Sequence, residues 1–302
     1  MRSFSLQLTT VLFLVLACAQ FCNGQAQTEA ASDYTFKTIN VRLKGVTTTF
    51  TQAFAVNNQG EIVGDYGCDG CQQGQNGFLE VSSKFTEEDC ALQNNTVLSD
   101  LNNKDEMVGT YAYIGSGYNG FIWDGGQCSP PISDPDGNGS TNAWGVNDKG
   151  AIAGFYTDSG GNYNGFLYSD GEYTTIDCPD TVWTRAYGIG NSGAIVGDFV
   201  ASAGGSFQGM LYRSGKCTTI DYPGASSTSA KGINKSGQIS GWYTDTSNAF
   251  HGFVKTGKNI QTLDFPKATN TLAFHINDAG QVAGWYTDAS GGTHGFIATP
   301  KR

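Results

Sequence analysis

The chain has 302 residues, 42 of them glycine, with a formal net charge of −10 and only 15% charged residues. No cluster of Lys or Arg could replace the counterions of a nucleic acid, so nucleic-acid binding is excluded as a function class. Three histidines in the whole chain leave little material for a histidine-based metal centre.

In chain order, residues 1–24 read as a secretory signal, with Arg2 as a basic start and Leu6–Ala19 as the apolar stretch. A short linker, 25–33, follows. No later apolar run reaches the roughly 18 residues that would span a bilayer, so a soluble, exported mature chain is expected. Tyr34–Asn40 (YTFKTIN) is rich in β-branched and aromatic residues and reads as a lone strand.

From there the chain repeats. An apolar run, Asn-x-x-Gly, and a second apolar run ending in an aromatic recur as Ala53–Tyr66, Leu98–Tyr111, Ala143–Tyr156, Ala186–Phe199, Ala230–Tyr243 and Ala273–Tyr286. The anchors are Asn57, Asn102, Asn147, Gly190, Asn234 and Asn277, separated by 45, 45, 43, 44 and 43 residues. A period near 44 is that of a four-stranded propeller blade. The anchor fits a tight turn, with Asn capping it through its side chain and Gly tolerating positive φ. A third strand carries polar-Gly-aromatic (Asn164-Gly165-Phe166, His251-Gly252-Phe253, His294-Gly295-Phe296), and a fourth carries Thr and Ile (Tyr173–Asp177, Cys217–Asp221). The last copy ends at Arg302 without a fourth strand, and Tyr34–Asn40 resembles one. The fold class expected over 34–302 is therefore all-β: a single six-bladed β-propeller of four-stranded blades, its ring closed by the N-terminal strand.

A Thr six residues before each anchor (Thr51, Thr96, Thr141, Thr184, Thr228, Thr271) and an acidic or amide residue thirteen before (Asn40, Asp89, Asp134, Asp177, Asp221, Asp264) recur in register. Residues used six times over cannot each be one active site. They are expected to hydrogen-bond the links between blades. The pattern A-x-G-I-N-x-x-G-x-I-x-G-x-Y, H-G-F and T-I-D-x-P-G, as in Ala230–Tyr243, His251–Phe253 and Thr219–Gly224, resembles the HAF-type extracellular repeat family. The resemblance covers Tyr34–Arg302 and implies export and a β-propeller. It implies no activity, so no catalytic residue carries over.

Function is sought where the copies differ. His275 and Asp100 share the position two before the anchor, where other copies have Ala or Gly, and would form an acid/base pair if they converge in the channel. With Arg185 they make the candidate catalytic set at a channel mouth. The position three before the anchor is aromatic-rich (Phe54, Trp144, Tyr187, Phe274), and with Trp183 these rings are candidates for stacking on sugars. Packing is the competing reading for all of them. The hairpin turns are expected on a quiet face, with function on the opposite face.

Six cysteines remain after the signal: Cys68, Cys71, Cys90, Cys128, Cys178 and Cys217. An exported chain favours disulfides. Cys68–Cys71 reads as a loop-closing pair. Cys90 and Cys178 occupy equivalent positions, as do Cys128 and Cys217. Pairing 90–128 and 178–217 would use one geometry twice, although a regular blade points those positions toward opposite faces, and 15 pairings are open. Asn94 and Asn138 lie in glycosylation sequons. No cofactor is evident. Acidic loops would suit Ca²⁺, but no spaced Asp-x-Asp-x-Asp run supports it. The function expected is a secreted binding module for glycan or cell-wall material. Alternatives are an extracellular hydrolase or lyase at the channel mouth, and a structural or host-interaction protein.

Overall fold

The computed structural model describes residues 33–71, 74–90, 95–112 and 117–301. The signal segment, the linker up to residue 32 and Asn94 lie outside them.

The first strand, β1 (Tyr34–Ile39), precedes blade 1, which is β2 (Thr48–Val56), β3 (Ile62–Cys68), β4 (Asn76–Val81) and β5 (Lys84–Glu87). Blade 2 is β6 (Asn95–Leu101), β7 (Met107–Ala112), β8 (Tyr118–Asp124) and the two-residue β9 (Gln127–Cys128). Blade 3 is β10 (Thr141–Val146), β11 (Ile152–Thr157), β12 (Tyr163–Ser169) and β13 (Glu172–Ile176). Blade 4 is β14 (Trp183–Ile189), β15 (Ile195–Val200), β16 (Gln208–Arg213) and β17 (Lys216–Ile220). Blade 5 is β18 (Ser227–Ile233), β19 (Ile239–Thr244), β20 (Phe250–Thr256) and β21 (Asn259–Thr262). Blade 6 takes β22 (Asn270–Ile276), β23 (Val282–Thr287) and β24 (Thr293–Pro300), and β1 completes it. Each blade is an antiparallel four-stranded sheet in simple meander order, and β1 pairs with β24 from Tyr34↔Pro300 to Ile39↔Gly295. The expected six-bladed, four-stranded architecture and its closing strand are both present. Among the described residues there is no helix.

The cores lie between blades. Phe78, Phe121, Phe166, Phe253 and Phe296 of the third strands are fully buried, each in a cluster with the aromatic that follows its own anchor by nine residues. Burying each ring contributes roughly 1.5–3 kcal/mol. The recurrent Thr hydroxyls hold the links: Thr51, Thr228 and Thr271 accept from the backbone N–H of Val41, Tyr222 and Phe265 at 3.0–3.1 Å. Thr96, Thr141 and Thr184 do the same for Cys90, Asp134 and Cys178.

The anchor asparagines do two jobs at once. Asn147 Oδ1 accepts from the N–H groups of Lys149 and Ala151, closing its own hairpin. Its Nδ2 donates to the Gly190 carbonyl of the next blade. Asn57 and Asn102 reach Asn102 and Asn147 in the same way, Asn234 reaches Asn277, and Asn277 reaches Asn57, which closes the circle. A second belt lies one residue along: Asn103, Asp148, Asn191, Asp278 and Asn58 each accept, through Oδ1, the N–H of the preceding turn. Both belts lack the link from blade 4 to blade 5. Gly190 has no side chain to donate, and Lys235 has no acceptor to offer.

The three disulfides are Cys68–Cys71, Cys90–Cys128 and Cys178–Cys217. The latter pairs each join the link entering a blade to that blade's predecessor, at the fourth strand. The expected opposition of those positions does not arise, because the link folds back over the fourth strand's edge: Cα–Cα is 5.6 Å in each.

Candidate functional site

Each inner strand carries a register shift at the same place, between Ala53 and Ala55, Leu98 and Asp100, Ala143 and Gly145, Ala186 and Gly188, Ala230 and Gly232, and Ala273 and Ile276. The residue left unpaired is the variable one three before the anchor: Phe54, Ser99, Trp144, Tyr187, Lys231 and Phe274. A bulge frees that residue from the sheet and re-aims it. All six line one cavity on the propeller axis. The strands can converge there because position two before the anchor is mostly small. A Cβ on Gly145 would run into the Tyr187 carbonyl of the next blade.

The freed side chains plug the channel. Phe54 meets Phe274 at 4.9 Å and Trp144 at 5.9 Å, edge to face, and Trp144 meets Tyr187 at 5.3 Å. Lys231 Nζ sits 3.1 Å from the Tyr187 ring centroid, with Trp144, Trp242 and Phe274 within 5.9 Å. This aromatic cage shelters the cation. Burial pushes its ammonium well below the usual lysine range, and Asp198 partly opposes that.

His275 and Asp100 do converge. In blade 6 the register shift spans two residues, so His275 also leaves the sheet, and its Nε2 lies 3.8 Å from Asp100 Oδ1. Asp100 is fixed: Oδ1 accepts from Leu101 N and Oδ2 from Val146 N, both at 2.9 Å. Burial raises its carboxyl pKa, against the nearby imidazole and those two N–H groups. The cavity they share measures only about 10 Å³, space for about one water. The hydroxyl of Ser99, the indole N–H of Trp144 and Nδ1 of His275 have no hydrogen-bond partner among the described residues. On the hairpin side, the anchor turns and His275 surround a further axial depression of about 50 Å³, so that face is not featureless.

Arg185 does not join the pair. Its Nε and Nη2 donate to Asp198 Oδ1 and Oδ2 at 2.8 and 3.0 Å, and Ser229 donates its hydroxyl to the same carboxylate at 2.6 Å. The register places Arg185 toward the loop-bearing face, paired with Asp198 on β15. Half-buried rings surround it there. Phe207 lies 4.2 Å from the guanidinium carbon and Tyr163 5.7 Å. Trp183 packs edge-on to Tyr163 at 5.7 Å. An aromatic series thus runs from Trp183 through Tyr163, Phe155 and Tyr187 to Trp144 on the axis. Trp183 and Arg185 were legible as candidates in the sequence. Tyr163 and Phe207 were not, and their only signal was a bulky residue at the start of, or just before, a third strand.

His251 and His294 are held in place by oxygen partners of their own. His251 Nδ1 is 2.8 Å from Asp264, and His294 bridges Asn40 at 2.9 Å and Asp288 at 3.1 Å. Among the described residues no group of three or more His, Cys, Asp or Glu side chains could hold a metal ion. Nor does any helix among them have the length and apolarity to cross a membrane. Asn138 is exposed in the turn before β10.

No family model matches the chain, and no curated protein does. Solved structures do match. A triple arginine-to-alanine mutant of AofleA from Arthrobotrys oligospora aligns with a TM-score of 0.52 at 14% identity, over 90% of this chain and 88% of that one. A fungal lectin from Aleuria aurantia, a six-bladed β-propeller with a novel fucose recognition mode, aligns with a TM-score of 0.52 at 10% identity, over 83% and 93%. The β-propeller domain of the Trilobed protease from Pyrococcus furiosus, described by its open velcro topology, gives 0.54 at 10%, over 83% and 81%. At such identities the likeness is one of fold.

Proposed function

We propose that this protein is a secreted, lectin-like module that binds extracellular glycan on its loop-bearing face. One observation carries the reading: Trp183, Tyr163 and Phe207 stand half-buried around an Arg185 guanidinium already immobilised by Asp198. Rigid rings bind sugar faces at low entropic cost. Asp198 uses two of the five guanidinium N–H donors, which leaves others for hydroxyl oxygens. The fold is shared with the Aleuria aurantia lectin, which has been solved with Fucα1-6GlcNAc and with α-methyl-L-fucoside. The N-terminal apolar segment and three disulfides support export, membership of the HAF-type repeat family is part of the same reading, and Asn138 would then be open to glycosylation.

An enzyme built on His275 and Asp100 has no room for a substrate in a cavity of about 10 Å³. The test is a glycan array on the wild-type protein and on Trp183→Ala, with circular dichroism to check folding. The expected result is a set of glycan hits that Trp183→Ala weakens at least about tenfold, or about 1.4 kcal/mol. An array without hits, or hits indifferent to Trp183, overturns the proposal.

A further inference from the structure

The fourth strand of blade 2 is cut short. β9 has two residues where β13 and β17 have five. The cause is in the sequence: Ser129 is followed by Pro130 and Pro131, which have no N–H to give to a ladder. Ser129 N still donates to Ile122, and the chain then leaves the sheet until Ile132 N rejoins at Gly120. The departure leaves a cavity of about 300 Å³ at the edge of the blade. It is lined by the rings of Tyr111 and Trp123, the Cys90–Cys128 disulfide, Asp89 and Gln127.

The other blades show what belongs in such a place. In blade 5 the residue twelve before the anchor, Tyr222, stacks flat on the aromatic nine after it, Tyr243, with centroids 3.7 Å apart and planes 7° apart. In blade 6 Phe265 stacks on Tyr286 at 3.6 Å and 6°. Cys90 and Tyr111 are the same two positions in blade 2, with a disulfide sulfur in place of a ring. The disulfide by itself does not open the site. In blade 4 the equivalent Cys178 lies against Met210, beneath a full-length β17. Cysteine and the proline pair together make the cavity.

From this geometry we infer that the blade 2 cavity binds a single pyranose ring, seated between Tyr111, Trp123 and the Asp89 carboxylate. Its volume is at the bottom of the range for small-molecule sites, which fits one ring and not an oligosaccharide. The occupant needs an apolar face for the two aromatic side chains and hydroxyls for the carboxylate. Asp89 Oδ1 accepts from Gly77 N at 2.8 Å and has lone pairs to spare. Burial pushes its carboxyl up to about 6, so near neutral pH it is an acceptor for sugar hydroxyls. The choice of a sugar rests on the glycan-binding reading above; the cavity does not.

The test uses the full chain labelled with 5-fluorotryptophan, whose five tryptophans give five ¹⁹F resonances. Trp123→Phe assigns the relevant one. Free glucose, galactose, mannose, fucose and N-acetylglucosamine are each titrated to about 50 mM, enough to detect a dissociation constant of about 1 mM. The expected result is a saturable shift of the Trp123 resonance with at least one sugar. Cys90→Tyr/Cys128→Ser fills the cavity as blade 5 does and should abolish the shift. Asp89→Asn keeps an acceptor for Gly77 and should weaken binding about tenfold, so the inference does not depend on the double variant folding. A silent Trp123 resonance with every sugar, or a shift unchanged in both variants, overturns it. If the glycan array gives Trp183-dependent hits while Trp123 stays silent, this inference fails alone. If Trp123 responds while the array is empty, the loop-face reading fails and the cavity stands.

Discussion

The residues that define this protein are defined by what their side chains lack as much as by what they carry. Asn at the anchor needs an acceptor for its own turn and a donor for the neighbouring blade. Asp has no donor and Ser is too short to do both, which explains why five of the six copies carry Asn there. The repeated Thr and Asp were legible as scaffold for the same reason. Buried residues used once were not legible. Asp65 is completely buried on β3, with Gln75 Nε2 donating to Oδ2 at 2.6 Å and Oδ1 without a partner among the described residues. Burial, partly offset by Gln75, pushes its carboxyl up to about 7. The unfolded value is about 3.9, so between about pH 4 and 7 the folded state keeps a proton that the unfolded state releases. Stability is therefore lost as pH rises through that window. Asp65→Asn, which retains the acceptor for Gln75, should flatten this dependence and exceed wild type at pH 8. Urea midpoints at both ends of the window check it, and parallel pH profiles would refute it.

At the scale of the blade, the turns form two belts with one joint missing from both. That joint, between blades 4 and 5, is correctable. Gly190 has an ordinary φ, and a Cβ there would meet its nearest neighbour, Ile233, at 3.6 Å. Gly190→Asn should therefore supply the missing bond to the Asn234 carbonyl and stabilise the fold by about 1 kcal/mol. Urea denaturation of the single variant, and of the double variant with Lys235→Asn, measures it; an unchanged midpoint would mean that the joint is closed some other way. The sequence displayed this gap as a departure in copy 4 but gave no hint of its consequence, because the partner lies one blade away. The bulges were hidden likewise. Phe54, Trp144, Tyr187 and Phe274 read as a rim because alternation along a regular strand cannot show that one residue has been dropped from the register.

For the whole molecule, the period near 44 and the orphan strand at Tyr34–Asn40 were enough to read the ring and its closure. What binds was not, since a site in a repeat ring sits where copies disagree and has no periodicity to betray it. Closure has a cost if undone. β1 contributes Tyr34 and Phe36 to the blade 6 core, where Phe36 meets Phe265 and Phe296 at 5.3 and 5.7 Å. Deleting residues 1–40 should expose β24 as a bare edge and yield aggregated or non-cooperatively unfolding protein. A monomeric product with the full-length melting temperature, by size exclusion and calorimetry, would contradict the closure argument.

The six bulges have one more implication. Because each frees a side chain from its ladder, the lumen behaves as a lining separate from the wall that carries it. Six point changes at residues 54, 99, 144, 187, 231 and 274 would rewrite its bore and polarity while leaving the strand pairing intact. A scaffold of this kind can acquire a pore, a hydrophobic stopper or a charged throat by substitution alone.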